Sequence, residues 1–151
     1  MKATYENADR LFEQNLQKVF DYMGDQRTTD RQLRHAGSRF LGDFLRGVYP
    51  MGEQPPPDGS HHAVIVNTAR TPEESMVNGH WIALLRHDES EIIYDSYGRD
   101  TEQFAPELAH LEPTHQDAEQ PLDPNVQWCG QACISVCMIC KEHGQSMAKL
   151  V

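Results

Sequence analysis

Three residues of this chain, a cysteine, a histidine and an aspartate, have the types and surroundings that nucleophilic catalysis requires. Cys129 stands where a proline-bearing loop gives way to an apolar run, CGQACISVCMIC. At the start of a helix, the unpaired N–H groups and the positive end of the dipole stabilise a thiolate and lower the pKa of the thiol. Gly130 adds little bulk beside the sulfur, so the backbone of a substrate could approach it.

His80 and Asp95 belong to a predicted β-hairpin. Two strand-like runs, HWIALLR and EIIYD, enclose the turn-forming tetrapeptide HDES. If the turn centres on His87 and Asp88, His80 and Asp95 lie directly opposite each other, with Cβ atoms ~5 Å apart on one face. The carboxylate could then accept a hydrogen bond from one imidazole nitrogen, which would leave the other nitrogen to take the thiol proton.

An enzyme that transfers an acyl group also needs donors for the oxyanion that forms. One donor would be the backbone N–H of Cys129. The second is often a side-chain amide, and the candidates in the loop before the nucleophile are Gln120 and Gln127. Since Gln127 is only two residues upstream, its side chain is poorly aimed, and the prediction favours Gln120.

The other cysteines are interpreted as small core residues; they are Cys133, Cys137 and Cys140. All four thiols lie along one helical stripe, and a single rigid helix cannot surround a zinc ion with them. We therefore predict no metal site. Cysteines confined to residues 129–140 indicate free thiols in a reducing compartment, because a secreted disulfide scaffold spreads them along the chain.

The elements that must position these residues follow from hydrophobic periodicity. Apolar residues at helical spacing predict an amphipathic helix over 8–23, with Asn7 as its N-cap and Gly24 as its C′ residue. A second helix is predicted over 30–46. The β-branched run at 63–67 predicts a buried strand.

The remaining segments are predicted to be mostly loops. Residues 51–60 carry three consecutive prolines and form a loop, and a short helix is expected over 105–111 before a second loop over 112–127. The run that begins at Cys129 is apolar on most faces, which is typical of a buried helix. Gly144 follows it as a C-cap.

These elements together predict one α+β domain over residues 1–151. It has N-terminal helices within 1–50, a small antiparallel sheet with the histidine and the aspartate within 60–97, and a catalytic helix over 129–143. The arrangement is papain-like, with the nucleophile on a central helix. A length of 151 residues fits a single domain with its own core.

Charge limits the partners that this chain could hold. It has 13 Lys and Arg against 23 Asp and Glu, a formal charge of −10, so bulk charge argues against nucleic acid as a partner. A local basic cluster remains, formed by Arg27, Arg31, Arg34, Arg39 and Arg46. No run of 18 apolar residues is present, so we expect no membrane span.

Three ordered motifs, NGHWIALL, YDSYG and WCGQAC, resemble the clan of cysteine proteases that holds the adenain family of adenovirus maturation proteases and the SUMO-specific proteases. The likeness to adenain is closer, because FLGDF (40–44), IVNTA (65–69) and the pair Pro124-Asn125 also match. It covers about residues 38–142. The ordered set is specific, whereas any single piece, such as a lone Cys-Gly, is weak.

The resemblance implies that His80 is the base, Asp95 the orienting acid and Cys129 the nucleophile. Trp81 and Gly130 would line the substrate cleft. It further implies an endopeptidase that cuts viral capsid or core precursor proteins at glycine-containing sites, in the virion and in the nucleus or cytoplasm of the host cell. No cofactor is required on this interpretation.

The chain also departs from adenain. Adenain has Glu where this chain has Asp95, and Asp followed by Ser96 is more like the SUMO-protease branch. Alignment on Pro124-Asn125 puts Leu122 in the glutamine position, two residues from Gln120. No cysteine precedes Cys129, so the disulfide-linked activator peptide of adenain has no partner here, and the charge of −10 weakens the case for a DNA cofactor.

Two alternative functions stay open at the level of sequence. A protease that removes SUMO or ubiquitin would use the same chemistry and would need a docking surface for a ubiquitin-like fold. An inactive protease-fold binding module would keep the architecture without cleavage.

Overall fold

The computed structural model describes residues 1–69, 71, 79–115 and 127–151. Within them the chain forms an α+β fold with five α-helices and a mixed five-stranded sheet. The helices are α1 (Tyr5–Met23), α2 (Asp30–Leu41), α3 (Thr101–Phe104), α4 (Cys129–His143) and α5 (Gln145–Ala148). The strands are β1 (Leu45–Pro50), β2 (His62–Asn67), β3 (Trp81–His87), β4 (Ser90–Tyr94) and β5 (Glu112–Pro113), and 3₁₀ turns cover Gly42–Phe44 and Pro106–Leu108.

Helix α1 begins three residues earlier than the periodicity predicts. Its N-cap is Thr4, whose hydroxyl accepts the backbone N–H of Asn7 at 3.1 Å, so the prediction of Asn7 as N-cap is wrong. A threonine hydroxyl bonds an N3 amide in the manner of an N-cap, and this bond extends the helix by a turn. Gly24 ends the helix with φ 79°, as predicted.

Helix α2 ends at Leu41 rather than at residue 46. Thr29 and Gln32 form a capping box at its start, and Gly42 takes a positive φ of 55° that ends it. The residues from Leu45 onward instead form β1, which pairs in parallel with β2. Pairing with a neighbouring strand satisfies the backbone of this segment, and the helical pattern of its apolar residues is overridden.

The sheet is mixed, so the prediction of a purely antiparallel sheet is wrong. Its strand order is β1-β2-β3-β4-β5, with antiparallel pairing at β2-β3 and β3-β4 and parallel pairing at both edges. Strand β2 confirms the strand predicted at 63–67. The proline-bearing segment 51–60 lies in the crossover that parallel pairing of β1 with β2 requires.

The hairpin of β3 and β4 has a register two residues away from the predicted one. Ala83 pairs with Tyr94 and His87 pairs with Ser90, so the turn is Asp88-Glu89 rather than His87-Asp88. Asp88 takes a left-handed φ of 51°, which an aspartate tolerates better than most residues. His80 and Asp95 are therefore not directly opposite each other.

The segment after the hairpin holds less helix than predicted. The helix predicted over 105–111 does not form. Helix α3 ends at Phe104, just before that range, and only a short 3₁₀ turn covers Pro106–Leu108. Pro106 lacks the N–H that would continue α3 and restricts the residue before it. The predicted loop at 112–127 begins with β5, whose two residues pair with β4.

Helix α4 is the centre of the larger hydrophobic core and has the predicted bounds. Its residues from Cys129 to Cys140 are buried between α1, α2 and one face of the sheet. The other face of the sheet packs on a second core beneath Ala105, Leu108 and Leu111. No helix within the described ranges is long and apolar enough to cross a bilayer.

Candidate active site

Cys129 is the first residue of α4 and lies at the edge of the core. The chain turns into the helix at Trp128, the N-cap residue, whose carbonyl accepts the N–H of Ala132 at 3.0 Å. The thiol is therefore at the positive end of a 15-residue helix that is packed on all sides. It is buried, and it lines a groove that opens to solvent.

His80 stands immediately before β3, and Asp95 stands immediately after β4. Nε2 of His80 donates to Oδ1 of Asp95 at 2.5 Å, and both side chains are only 6 % exposed. With Nε2 held in this way, Nδ1 is the ring nitrogen left for Cys129. The thiol of Cys129 lies close enough to the imidazole of His80 for each group to shift the pKa of the other, so all three residues form one connected set.

The His80–Cys129 pair favours the ionised state of both groups. Burial alone lowers the pKa of His80, but hydrogen bonds to Asp95 and Cys129 outweigh burial and raise this pKa above its usual 6.5. Burial alone raises the pKa of Cys129, but the hydrogen bond and charge of His80 bring it below the usual 9.0. Both shifts act in the direction that favours a thiolate beside an imidazolium.

Backbone amides assist the thiolate. The N–H of Trp81 donates to Sγ of Cys129 at 3.5 Å, and a further bond comes from the backbone of Gly130. Because Trp81 follows His80 in the chain, the same short segment supplies the base and a donor to the nucleophile. The first N–H groups of α4, including that of Cys129, have no intrahelical acceptor, as at any helix start.

Asp95 is fixed by the turn that it begins. Its carboxylate accepts backbone N–H groups from Tyr97 at 3.1 Å and Arg99 at 3.2 Å, and Nε of Arg99 at 2.9 Å. Burial acts to raise the pKa of Asp95, but the hydrogen bond and charge of His80 and the charge of Arg99 hold it at about 2. The carboxylate is thus a permanent anion behind the imidazole.

Tyr97 and Arg99 form a column over the histidine that sequence reasoning missed. The ring of Tyr97 stacks on His80 at 4.5 Å between centroids, with an angle of 18°. Arg99 lies over Tyr97 at 5.1 Å and over Phe104 at 4.4 Å. The run Asp-Ser-Tyr-Gly signals a β-turn, which would have brought the residues after Asp95 back towards the histidine. The turn is closed by Gly98 N–H to the Asp95 carbonyl at 2.9 Å.

Trp81 and Gly130 join the site to the α1–α2 connection. The indole N–H of Trp81 donates to the carbonyl of Thr28 at 3.3 Å, and Trp81 lines the groove. Gly130 instead faces the interior, since a Cβ there would contact Thr28 Oγ1 and lie 2.8 Å from a methyl of Leu33. Its small size therefore allows the helix start to approach α2, whereas the sequence prediction placed it in the substrate cleft.

Gln131 is a further residue that the sequence analysis did not single out. Its buried amide donates to the carbonyls of Gly24 at 3.0 Å and Gln26 at 2.8 Å. These bonds tie the first turn of α4 to the end of α1 and to the connection that carries Thr28. A glutamine inside an otherwise apolar helix is the signal that could have identified it, because a buried amide needs partners.

A groove of about 710 Å³ runs past Cys129 and His80. One wall is the α1–α2 connection with the start of α2, a second is the end of β1, and the third carries Tyr97 and Arg99. Its charged lining outside the connected set is Arg27, Asp30, Arg34 and Arg99.

The predicted oxyanion donors are only partly located. Gln127 lines the groove together with Cys129 and His80. Gln120 lies outside the described residues, as do Leu122 and the pair Pro124-Asn125.

The remaining cysteines are buried and free, and none pairs with another. Burial raises the pKa of Cys133 and Cys137 far above 9.0 and that of Cys140 to about 12. These thiols remain protonated at neutral pH, whereas the pKa of Cys129 is lowered. In the part of the chain that the structure describes, no group of three or more His, Cys, Asp or Glu side chains could hold a metal ion.

Comparisons with known proteins do not place this chain in a family. No protein-family model matches it, and no curated protein matches it. The chemistry of the site therefore has to be argued from its geometry. A buried thiol with a lowered pKa, a histidine with a raised pKa and an adjoining groove are the parts of a nucleophilic acyl-transfer site.

Proposed function

We propose that the chain is a cysteine endopeptidase in which Cys129 is the nucleophile, His80 the base and Asp95 the orienting acid. The observations that carry this proposal are the hydrogen bond between His80 and Asp95 and the mutual pKa shifts of His80 and Cys129 at the start of α4. An imidazole beside a cysteine is not sufficient by itself, since Nε2 of His61 lies 3.6 Å from Sγ of Cys140. Burial raises the pKa of that thiol to about 12, whereas the pKa of Cys129 is lowered.

The proposed reaction has two halves. Sγ of Cys129 attacks the carbonyl carbon of the scissile peptide bond, and the oxyanion is stabilised by N–H groups at the helix start. The imidazolium of His80 gives its proton to the leaving nitrogen, the C–N bond breaks, and a thioester remains. His80 then takes a proton from water, whose oxygen attacks the thioester and releases the acid and the thiolate.

Asp95 keeps the imidazole in the orientation that this exchange needs. Its bond to Nε2 leaves Nδ1 as the nitrogen that faces the sulfur, and its negative charge stabilises the imidazolium. The side-chain donor to the oxyanion stays a choice between Gln120, which the sequence favours, and Gln127, which lines the groove.

A papain-like arrangement is part of the same proposal. Support comes from the central position of α4, the placement of the nucleophile at its N-terminus and the delivery of the histidine and the aspartate from neighbouring strands of the sheet. The resemblance of the motifs around these residues to adenain and to the SUMO-specific proteases supports it independently. Adenain-like substrates would be viral precursor proteins cut beside glycine, inside the virion or the infected cell.

The test is cleavage by the purified protein of an internally quenched glycine-containing peptide. Wild-type protein should cleave it, and Cys129→Ala should lose activity by at least about a thousandfold. Cys133→Ala is the matched control, because it removes a buried thiol from the same helix. If a folded Cys129→Ala variant still cleaves the peptide, Cys129 is not the nucleophile.

A second assay separates the proposed endopeptidase from the two alternatives. Hydrolysis of a SUMO-linked or ubiquitin-linked conjugate, with the glycine peptide left intact, would identify a deconjugating protease. A folded protein that cleaves neither substrate and does not react with a peptide aldehyde would be an inactive binding module.

A further inference from the structure

The exposed side of α2 differs in charge from the rest of the molecule. Between residues 27 and 46 there are five arginines and only two acidic residues, a charge of +3. The whole chain carries −10, so the remaining residues carry −13. We call the exposed side chains of Arg31, Arg34, His35 and Arg39 the α2 basic face.

Arg34 connects this face with the groove. One guanidinium nitrogen donates to the carbonyl of Val48 at 3.0 Å, and another lies 3.5 Å from the carboxylate of Asp30. Its side chain is nevertheless 59 % exposed. It lines the groove that holds Cys129, a depression beside Arg46 and a depression beside His35, so these three concavities meet at one arginine.

The far end of the face is ordered by an aromatic side chain. Tyr22 is 40 % exposed, its ring stacks on His35 at 6.1 Å, and the guanidinium of Arg39 lies over it at 5.2 Å. Cation–π contact restrains a side chain that would otherwise sample many rotamers. Arg34 and Arg39 are therefore restrained before any ligand binds, which reduces the entropy cost of binding.

We propose that the α2 basic face binds an acidic segment of the polypeptide substrate whose scissile bond lies at Cys129. This inference rests on the proposed function, because it makes the face an extension of the substrate groove. A guanidinium group can donate two parallel hydrogen bonds to one carboxylate. The face therefore suits Asp and Glu side chains that lie a few residues from the cleaved bond. A long polyanion such as nucleic acid would extend beyond the face and meet the charge of −13.

Binding can be measured without cleavage in the Cys129→Ala protein. The probe is a fluorescein-labelled 16-residue peptide with a glycine-containing centre and four alternating Asp and Glu residues at one end. Two such peptides place the acidic residues before or after the centre, and a third peptide has Asn and Gln in their place. Fluorescence anisotropy should show that one acidic peptide binds at least about tenfold more tightly than the neutral peptide, with an advantage that falls as salt rises.

The dependence on the α2 basic face is tested with two triple variants of equal charge. The first carries Arg31→Gln, Arg34→Gln and Arg39→Gln, and it should weaken binding of the acidic peptide about tenfold. The control carries Arg10→Gln, Lys18→Gln and Lys141→Gln, three exposed cations elsewhere, and it should bind within about twofold of the parent. Thermal unfolding checks that both remain folded.

Three results would overturn this inference. Equal binding of acidic and neutral peptides, or equal weakening by both triple variants, would remove the specific role of α2. Binding of an eight-residue oligodeoxythymidylate in preference to the acidic peptide would make the face a nucleic-acid site.

The proposed function fails separately, if wild-type protein binds the acidic peptide but never cleaves it. Cleavage of acidic and neutral peptides at the same kcat/KM would support the protease and reject the docking role.

Discussion

Nε2 of His80 lies 2.5 Å from Oδ1 of Asp95, although the two residues are out of register by two positions in the hairpin. A shift of two keeps both side chains on the same face, because the period of a strand is two residues. Diagonal neighbours are further apart than opposed ones, and a histidine reaches across that gap. If the register of β3 and β4 is continued beyond the paired residues, Tyr97 is the residue opposite His80, and its ring stacks on the imidazole.

The first prediction concerns the ionisation of Cys129. A thiol with the usual pKa of 9.0 is only about 1 % thiolate at pH 7, whereas the pKa of Cys129 is lowered by His80. Iodoacetamide should therefore alkylate Cys129 at pH 7 at least about tenfold faster in the wild type than in His80→Ala. Mass spectrometry gives the rate, and Cys133 in the same molecule is the unreactive control.

The pH dependence of activity has two limbs. Activity should rise as pH rises through the lowered pKa of Cys129, because the thiolate forms, and fall as pH rises through the raised pKa of His80, because the imidazolium is lost. An alkylation rate that follows hydroxide concentration up to pH 9 would contradict the ion pair.

The second prediction concerns stability in acid. The pKa of Asp95 is about 2 in the folded protein and 3.8 as its usual value. A depressed folded pKa adds stability that is complete above pH 4 and is lost as pH falls towards 2, by roughly 2 kcal/mol. Urea unfolding between pH 5 and pH 2.5 should show a shallower loss in Asp95→Asn than in the wild type. Asp9→Asn, which removes an exposed carboxylate, should keep the wild-type slope.

The third prediction assigns Tyr97 and Arg99 as positioning residues. Arg99→Gln removes a bond to Asp95 and the cation over Tyr97, so kcat should fall about tenfold and the alkylation profile of Cys129 should move to higher pH. Tyr97→Leu removes the ring over His80 and should act in the same direction, whereas Tyr97→Phe should retain more activity than Tyr97→Leu. A change in KM alone, with an unmoved pH profile, would make these residues substrate contacts instead.

The fourth prediction uses Gly130. Replacing a helical glycine by alanine ordinarily stabilises a helix by about 1 kcal/mol. Here the added Cβ meets Thr28 and Leu33, so Gly130→Ala should lower the free energy of unfolding by about 1–3 kcal/mol. In a Thr28→Ala background, which removes the nearest atom, the same substitution should cost less. Stabilisation by Gly130→Ala alone would show that the helix start has room.

Local patterns in the sequence predicted the elements that carry the site. The apolar run from Cys129 predicted α4 with its bounds, and the alternating and β-branched segments predicted β2 and the hairpin. The residue types at positions 80, 95 and 129 were sufficient to single out the side chains that the structure brings together. These features depend on neighbours along the chain, which sequence periodicity records.

The wrong predictions concern segments in which contacts with distant residues override the local conformational preference. Residues 45 and 46 belong to the predicted second helix, yet they begin β1 because β2 offers a parallel partner. The hairpin turn moved by one residue because Asp88 accepts a left-handed backbone, and the sequence alone did not choose between neighbouring turn centres. Turn chemistry and strand pairing are decided by the assembled sheet.

By itself the sequence determined which residues could do chemistry, that Cys129 begins a helix, and that His80 and Asp95 belong to one hairpin. It placed those two residues inside the strands, whereas His80 precedes β3 and Asp95 follows β4. Tertiary structure alone decided that Tyr97 and Arg99 cover the histidine, that Gln131 ties α4 to the end of α1, and that the Gly130 position is closed by Thr28 and Leu33. Each of these contacts joins residues whose relation depends on the path of the chain between them. Sequence spacing carries no record of that path, because it is fixed by the packing of α4 against the helices and the sheet.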